Sequence, residues 1–207
     1  RPVAIDALSR EDIKAETTCI LGYACDEGVR RNLGRPGAAK GPQAFRQKLA
    51  KLPWHLGTRP LLDTGTWSPV EADLEACQEA FSHSVTRILE TGGFPLGIGG
   101  GHDMAFAHYR GIRDFLPEGS RLGVLNFDAH LDLRQPGPGP HSGSPFFQIA
   151  KDCETRGEVF HYGCMGFRAD ANPPELFRRA ADWGVWLLDR DALAARGQSN
   201  AIEALQA

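Results

Sequence analysis

The sequence lacks any apolar run approaching a membrane span, any excess of basic charge and any closely spaced pair of cysteines. A bilayer crossing needs about 20 consecutive apolar residues, so no membrane partner is expected. Lys and Arg number 23 against 26 Asp and Glu, a formal charge of -3. That balance gives nothing to attract a phosphate backbone, and no nucleic-acid partner is expected. The N-terminal residues do not show the positive segment and apolar core of a secretory leader. The five cysteines, Cys19, Cys25, Cys77, Cys153 and Cys164, are odd in number and widely spaced. This argues against a disulfide framework and for reduced thiols in a cytoplasmic protein. Cys19 and Cys164 lie in strand-like apolar runs and read as core. Cys25 ends a strand beside Asp26, with no helix start or adjacent cation evident to lower its thiol pKa. Internal repeats and coiled-coil heptads are also missing.

What is present is ordinary globular composition, 42% apolar and 24% charged over 207 residues. That is enough for one large α/β domain spanning 1–207 with a substantial core. The apolar periodicity alternates between strand and helix. Thr18 to Tyr23 reads as a strand, and the polar, glycine-rich 24–37 as a loop of a length that invites a binding role. A helix starts near Pro42, with Phe45, Leu49 and Leu52 as its stripe. Leu61 to Asp63 is a short strand before a turn-rich TGTWSP. Glu71 to Glu90 is a helix with Leu74, Cys77, Phe81, Val85 and Ile88 inward, closed by Gly92 and Gly93. Phe94 to Ile98 is a strand, Met104 to Leu116 a helix with His108 packed or solvent-facing, and Leu122 to Phe127 a strand buried on both faces of a parallel sheet. A short helix follows from Pro145 to about Ala150, then a strand from Glu158 to Met165. A helix opening at Pro173 or Pro174 carries Leu176, Phe177 and Ala180 inward, and Trp183 to Leu188 is strand-like. Asp189 is placed to cap the helix-prone final segment, which is broken near Gly197.

Chemistry concentrates at the stretch RLGVLNFDAHLD, residues 121–132. Asp128, His130 and Asp132 follow the strand at steps of two, so on extended backbone they share one face. Two carboxylates and an imidazole at the carboxyl end of a parallel strand suit a hard or borderline divalent metal. Upstream, GGGHDMAF at 99–106 puts His102 at a strand-to-helix junction, as a further ligand or a base. It is no Walker loop, since the lysine and hydroxyl residue are absent. A strand, glycine turn, helix and strand in succession predict a right-handed parallel unit that brings His102 toward Asp128. The loop 133–145, LRQPGPGPHSGSP, is too rich in Pro and Gly for a regular element. It holds Arg134, suited to a substrate carboxylate, and His141, Ser142 and Ser144 as polar candidates. Arg30, Arg31, Asn32 and Arg35 are the corresponding residues of the earlier loop.

GGGH at 99–102 and DAHLD at 128–132 together resemble the ureohydrolase family of arginases, agmatinases and formimidoylglutamases. CDEGVRRNLGRPGAAKGP at 25–42, GGGHDMAFAHYRGI at 99–112 and NFDAHLDLR at 126–134 look closest to its formimidoylglutamase branch. The resemblance implies an arginase-like three-layer αβα fold with a mostly parallel sheet. It also implies a two-manganese hydrolase converting N-formimino-L-glutamate and water to L-glutamate and formamide in histidine degradation. His102, Asp128 and Asp132 would serve one Mn2+, with Asp128 bridging to a second that His130 also binds. Asp128 and His130 would thus form the catalytic centre, with Arg134, Ser142, Ser144, Arg30, Arg31 and Asn32 on the substrate. His141 stands one place before the position where arginases carry a histidine, so that residue's proton role is not carried over. The family's later SxDxxDP-type stretch has no counterpart after Asp132, which leaves four of the six expected protein ligands. The chain therefore reads as C-terminally incomplete, and little or no hydrolysis is expected from these 207 residues alone. Agmatinase or arginase activity, or an inert metal- or ligand-binding fragment, are the alternatives. The family implies homo-oligomers such as trimers or hexamers.

Overall fold

The computed structural model describes residue 13 and residues 17–55, 57–69 and 72–195. It has α/β architecture with every paired strand parallel, and the chain divides into two compact units. One comprises residues up to Ser120 together with Pro136–Pro145, and the other Arg121–Gln135 together with residues from Phe146 onward.

In the first unit β1 (Thr18–Tyr23) lies between β2 (Leu61–Trp67) and β3 (Phe94–Ile98). Its interior position explains its composition, since a strand flanked on both sides and covered by helices buries nearly every side chain. Cys19, Leu21 and Tyr23 are indeed inaccessible to solvent. They pack with Leu74, Cys77, Phe81, Val85 and Ile88 of α3 (Leu74–Glu90), the stripe read from the sequence, and with Ala107 of α4 (Met104–Phe115). Asp73 caps α3 by accepting from the Ala76 N–H at 2.9 Å, which starts the helix three residues later than Glu71. α3 and α4 cross closely at Gly111, where a Cβ would come within 2.4 Å of the Ser82 carbonyl oxygen.

Three sequence expectations in this unit change. The 24–37 loop contains a short helix, α1 (Glu27–Arg31), because Glu27 accepts from both Arg30 and Arg31 one turn on. α2 (Gly41–Leu49) ends before Leu52, which is exposed. The expected turn TGTWSP instead prolongs β2 to Trp67. Arg46 makes this extension by donating to the Asp63 carboxylate, the Gly65 carbonyl and the Thr66 hydroxyl. Thr64 donates to the Ile20 carbonyl at 2.9 Å, and the register with β1 shifts there.

In the second unit β5 (His161–Phe167) lies between β4 (Gly123–Phe127) and β6 (Trp186–Asp189). The expected starts at Glu158 and Trp183 move later. Gly157 and Gly184, both at positive φ, end the preceding helices and need residues to turn the chain. α5 (Pro145–Arg156) runs two turns past Ala150, and its Phe146 stacks on Tyr162 at 4.4 Å between ring centroids. α6 (Pro174–Asp182) buries Leu176 and Ala180 as read from the sequence. Asp189 caps the helix that begins at 190 by accepting from the Ala192 N–H at 2.7 Å. The break placed near Gly197 lies outside the described residues.

The largest departure concerns β3 and β4. Each is an outer strand of its own three-stranded sheet, and the two do not pair. β4 is consequently not buried on both faces: Leu125 is 41% and Phe127 69% exposed, while on β3 Phe94 is 62% and Leu96 37% exposed. An apolar run in the sequence reports a strand suited to burial, and says nothing about which neighbour supplies the cover.

Candidate functional site

In the first unit the chain leaves β1 at Tyr23 and β3 at Ile98, and the two exits are stitched together. The Gly100 N–H donates to the Tyr23 carbonyl and the Gly101 N–H to the Cys25 carbonyl, each at 2.8 Å. His102 thus follows a turn fixed on the carboxyl end of the unit's central strand, just ahead of α4. Beneath it, Tyr23 donates its hydroxyl to Asp103 Oδ2 at 2.7 Å, and Gln78 donates to the Asp103 carbonyl. Asp103 is fully buried and its Oδ1 has no hydrogen-bond partner among the described residues. Burial raises the carboxyl pKa, against the Tyr23 bond that lowers it. A Cβ on Gly28 would stand 2.2 Å from that Oδ1, so glycine lets the 26–35 segment close over Asp103.

The substrate-loop candidates of this unit meet one another. Asn32 Nδ2 donates to Ser142 Oγ at 3.1 Å, and the Ser142 N–H donates to the Gly28 carbonyl. Arg31 grips Glu75 with both terminal nitrogens, and also reaches Glu27 and the Pro140 carbonyl. Arg30 is paired with Glu27. Arg31 thus ties the two loops, while Arg30, the more exposed, braces its own segment. Ser144 is fully buried and its hydroxyl donates to the His141 carbonyl, closing a turn in which His141 Nδ1 accepts from the Gly143 N–H. His108 sits edge-on to Phe81, and burial lowers its pKa. The Cys25 thiol is pulled down to about 7, first by a hydrogen bond from Cys77, whose own thiol is pushed up. The lowering cause invisible in the sequence was this partner, 52 positions away.

Bonds from Arg30 to Glu27 and from Arg31 to Glu75 hold both carboxyls below the ordinary glutamate range. Because the folded values are depressed, the pairs stabilise the loops above the unfolded glutamate pKa of about 4.3. The contribution is lost as pH falls through the folded values. Acidification is therefore expected to lower the amide protection of 27–33, taken relative to the intrinsic exchange rate at each pH, before the molecule melts. Protection that fell only with global unfolding would contradict this.

In the second unit Asp128, His130 and Asp132 follow β4, but the backbone does not stay extended. It bends from 128 to 130, and Asp132 takes φ +43°. Simple alternation therefore does not orient the three side chains. Asp128 Oδ1 accepts from the His130 N–H at 3.0 Å and lies 3.4 Å from its Nδ1. Leu131 and Leu133 are fully buried anchors between the polar residues. His130 and Arg134 are exposed, whereas His102, Asp128 and Asp132 are each half-buried.

The sequence reading missed what holds this segment. Asn172 Oδ1 accepts from the Leu131 N–H at 2.9 Å, and its Nδ2 donates to the carbonyls of Ala129 and Arg168 at 2.8 Å each. Tyr162 donates to the Leu131 carbonyl, Arg179 to that of Leu133, and Asn126 to that of His130. Arg179 in turn lies over the rings of Phe147 and Trp183. Asn172 stands before a double proline and reads as an ordinary turn residue. Only the fold reveals that its amide is spent on backbone 41 to 43 positions away.

His102 in the first unit and Asp128 and Asp132 in the second are half-buried imidazole and carboxylate donors of the kinds that a metal-dependent hydrolase uses. Comparison with known proteins points the same way. Residues 16–207 match the Arginase family. Formimidoylglutamase of Aeromonas salmonicida (strain A449) is 46% identical over 177 residues, covering 86% of this chain and 56% of its own. That of Chromobacterium violaceum is 47% identical over 173 residues, covering 83% and 55%. The crystal structure of Trypanosoma cruzi formiminoglutamase with Mn2+ superposes with a TM-score of 0.83 at 30% identity, covering 97% of this chain and 68% of that one. The fold is accordingly of the three-layer αβα class expected, and the chain spans a little over half the length of the two sequence relatives.

Proposed function

Because this chain belongs to the arginase family, we propose that the protein carrying it hydrolyses N-formimino-L-glutamate to L-glutamate and formamide with two manganese ions. The carrying observation is that His102, Asp128 and Asp132 are half-buried donors of metal-binding type in a chain 46% identical to a formimidoylglutamase. Oxygen-rich donors with added imidazole fit Mn2+. His102, Asp128 and Asp132 would hold one ion, and Asp128 and His130 the other. Bound there, the ions would supply Lewis acidity and an activated water.

The chain's own residues would recognise the substrate. Arg134, exposed two residues beyond the last donor, suits a carboxylate by its planar fork. Asn32 and Ser142, joined to each other, offer amide and hydroxyl groups from the paired loops, with Arg30, Arg31 and Ser144 fixing those loops around them. We read residues 1–207 as part of one domain of a cytoplasmic homo-oligomer. Part of the ligand set is supplied by chain beyond these residues, as the 56% coverage of the relative supports.

The test incubates the full protein and the 207-residue chain separately with Mn2+ and N-formimino-L-glutamate, agmatine or arginine. Formamide from the first substrate is expected of the full protein, and little or none from the short chain. Urea from agmatine or arginine would favour the other ureohydrolases. Turnover by the short chain near that of the full protein would refute the shared ligand set. The short coverage also favours a second reading for the chain alone, a metal- or ligand-binding fragment without turnover.

A further inference from the structure

The ladder between β4 and β5 does not stop where β4 ends. The Asp128 N–H donates to the Met165 carbonyl, and the Arg168 N–H then donates to the Ala129 carbonyl. Beyond that point no backbone among the described residues follows, and the Asn172 side chain takes over, donating to the Ala129 carbonyl and accepting from the Leu131 N–H. A primary amide is the one side-chain group that can present donor and acceptor together as a neighbouring strand does. Asn172 is only 7% exposed, so these bonds face little competition from water. Tyr162, stacked on Phe146 and Phe160, completes the grip through the Leu131 carbonyl.

We propose that Asn172 is a positioning residue: its amide replaces a missing strand neighbour and fixes the backbone from which the donors at 128, 130 and 132 project. The inference rests on the metal reading above. It differs from a purely structural role because the bonded groups are the peptide units between the donors. Losing them lets the donors wander even where the fold survives.

The test is Mn2+ titration of the full protein, followed by the electron paramagnetic resonance of free Mn2+, with melting recorded in parallel. Asn172→Leu keeps the branching at Cγ and removes every side-chain bond, and is expected to weaken Mn2+ affinity by about 10- to 100-fold. Leu176→Ala, a cavity variant on α6 outside the grip, is expected to lower the melting temperature and leave Mn2+ affinity unchanged. Should Asn172→Leu fail to fold, Tyr162→Phe removes one hydroxyl from the same segment and is expected to weaken binding several-fold, about one hydrogen bond's worth. Unchanged affinity in the folded variant overturns the inference alone, as does an equal loss in Leu176→Ala. A parent protein that binds no Mn2+ overturns the metal reading, and the inference with it.

Discussion

Asp128→Ala in the full protein is expected to lower amidine turnover on the order of 10³-fold, the several kcal/mol that a correctly held metal contributes to the transition state. Asp128 would be among the residues that hold the metal on the reading proposed above, so its loss should also reduce bound manganese, measured by metal analysis of the purified variant. The carboxylate is half-buried and engages the His130 N–H, so its removal also frees the bend that follows β4. His102→Ala should behave similarly in turnover while sparing that bend. The two variants thus separate loss of a ligand from loss of local geometry. Unchanged turnover and unchanged metal content in both would end the ligand assignment.

Phe81→Ala carries the largest expected effect on stability, a loss of about 3–5 kcal/mol, typical of deleting a buried aromatic ring. Phe81 is inaccessible to solvent and meets Tyr23 edge-on at 5.3 Å and His108 at 6.1 Å. Its ring fills the space between β1, α3 and α4, three elements that cannot close the gap without moving the turn before His102. Phe115→Ala, 41% exposed at the end of α4, is the contrast and should cost about 1 kcal/mol or less. Urea melts of both read the difference directly. A Phe81→Ala loss no larger than that of Phe115→Ala would show that the core is not organised around this ring.

The sequence revealed those features that depend on near neighbours. The α3 stripe at Leu74, Cys77, Phe81, Val85 and Ile88 follows helical spacing, and all five side chains are buried. β1 and β3 have the bounds read from their apolar runs. The residues proposed as donors at 102, 128 and 132 stand out in the sequence because their types and order are distinctive. What escaped depends on distant partners. The extension of β2 needs Arg46 and the lowered Cys25 thiol needs Cys77. Alternation along 128–132 failed because the chain bends there, and Asn172 carried no local sign of what it binds. The pattern is physical: periodicity encodes which way a side chain faces, whereas a hydrogen bond between remote segments leaves no period.

The outer strands β3 and β4 carry one more consequence. Phe94, Leu96, Leu125 and Phe127 stand exposed beside backbone edges that no neighbouring strand occupies among the described residues. Such rims are templates for adding a strand, and any preparation of this stretch by itself meets that hazard at every collision. Crowding, slow concentration and storage would favour sticking between copies, and a soluble partner or fused segment supplying β-structure would act as a protecting group.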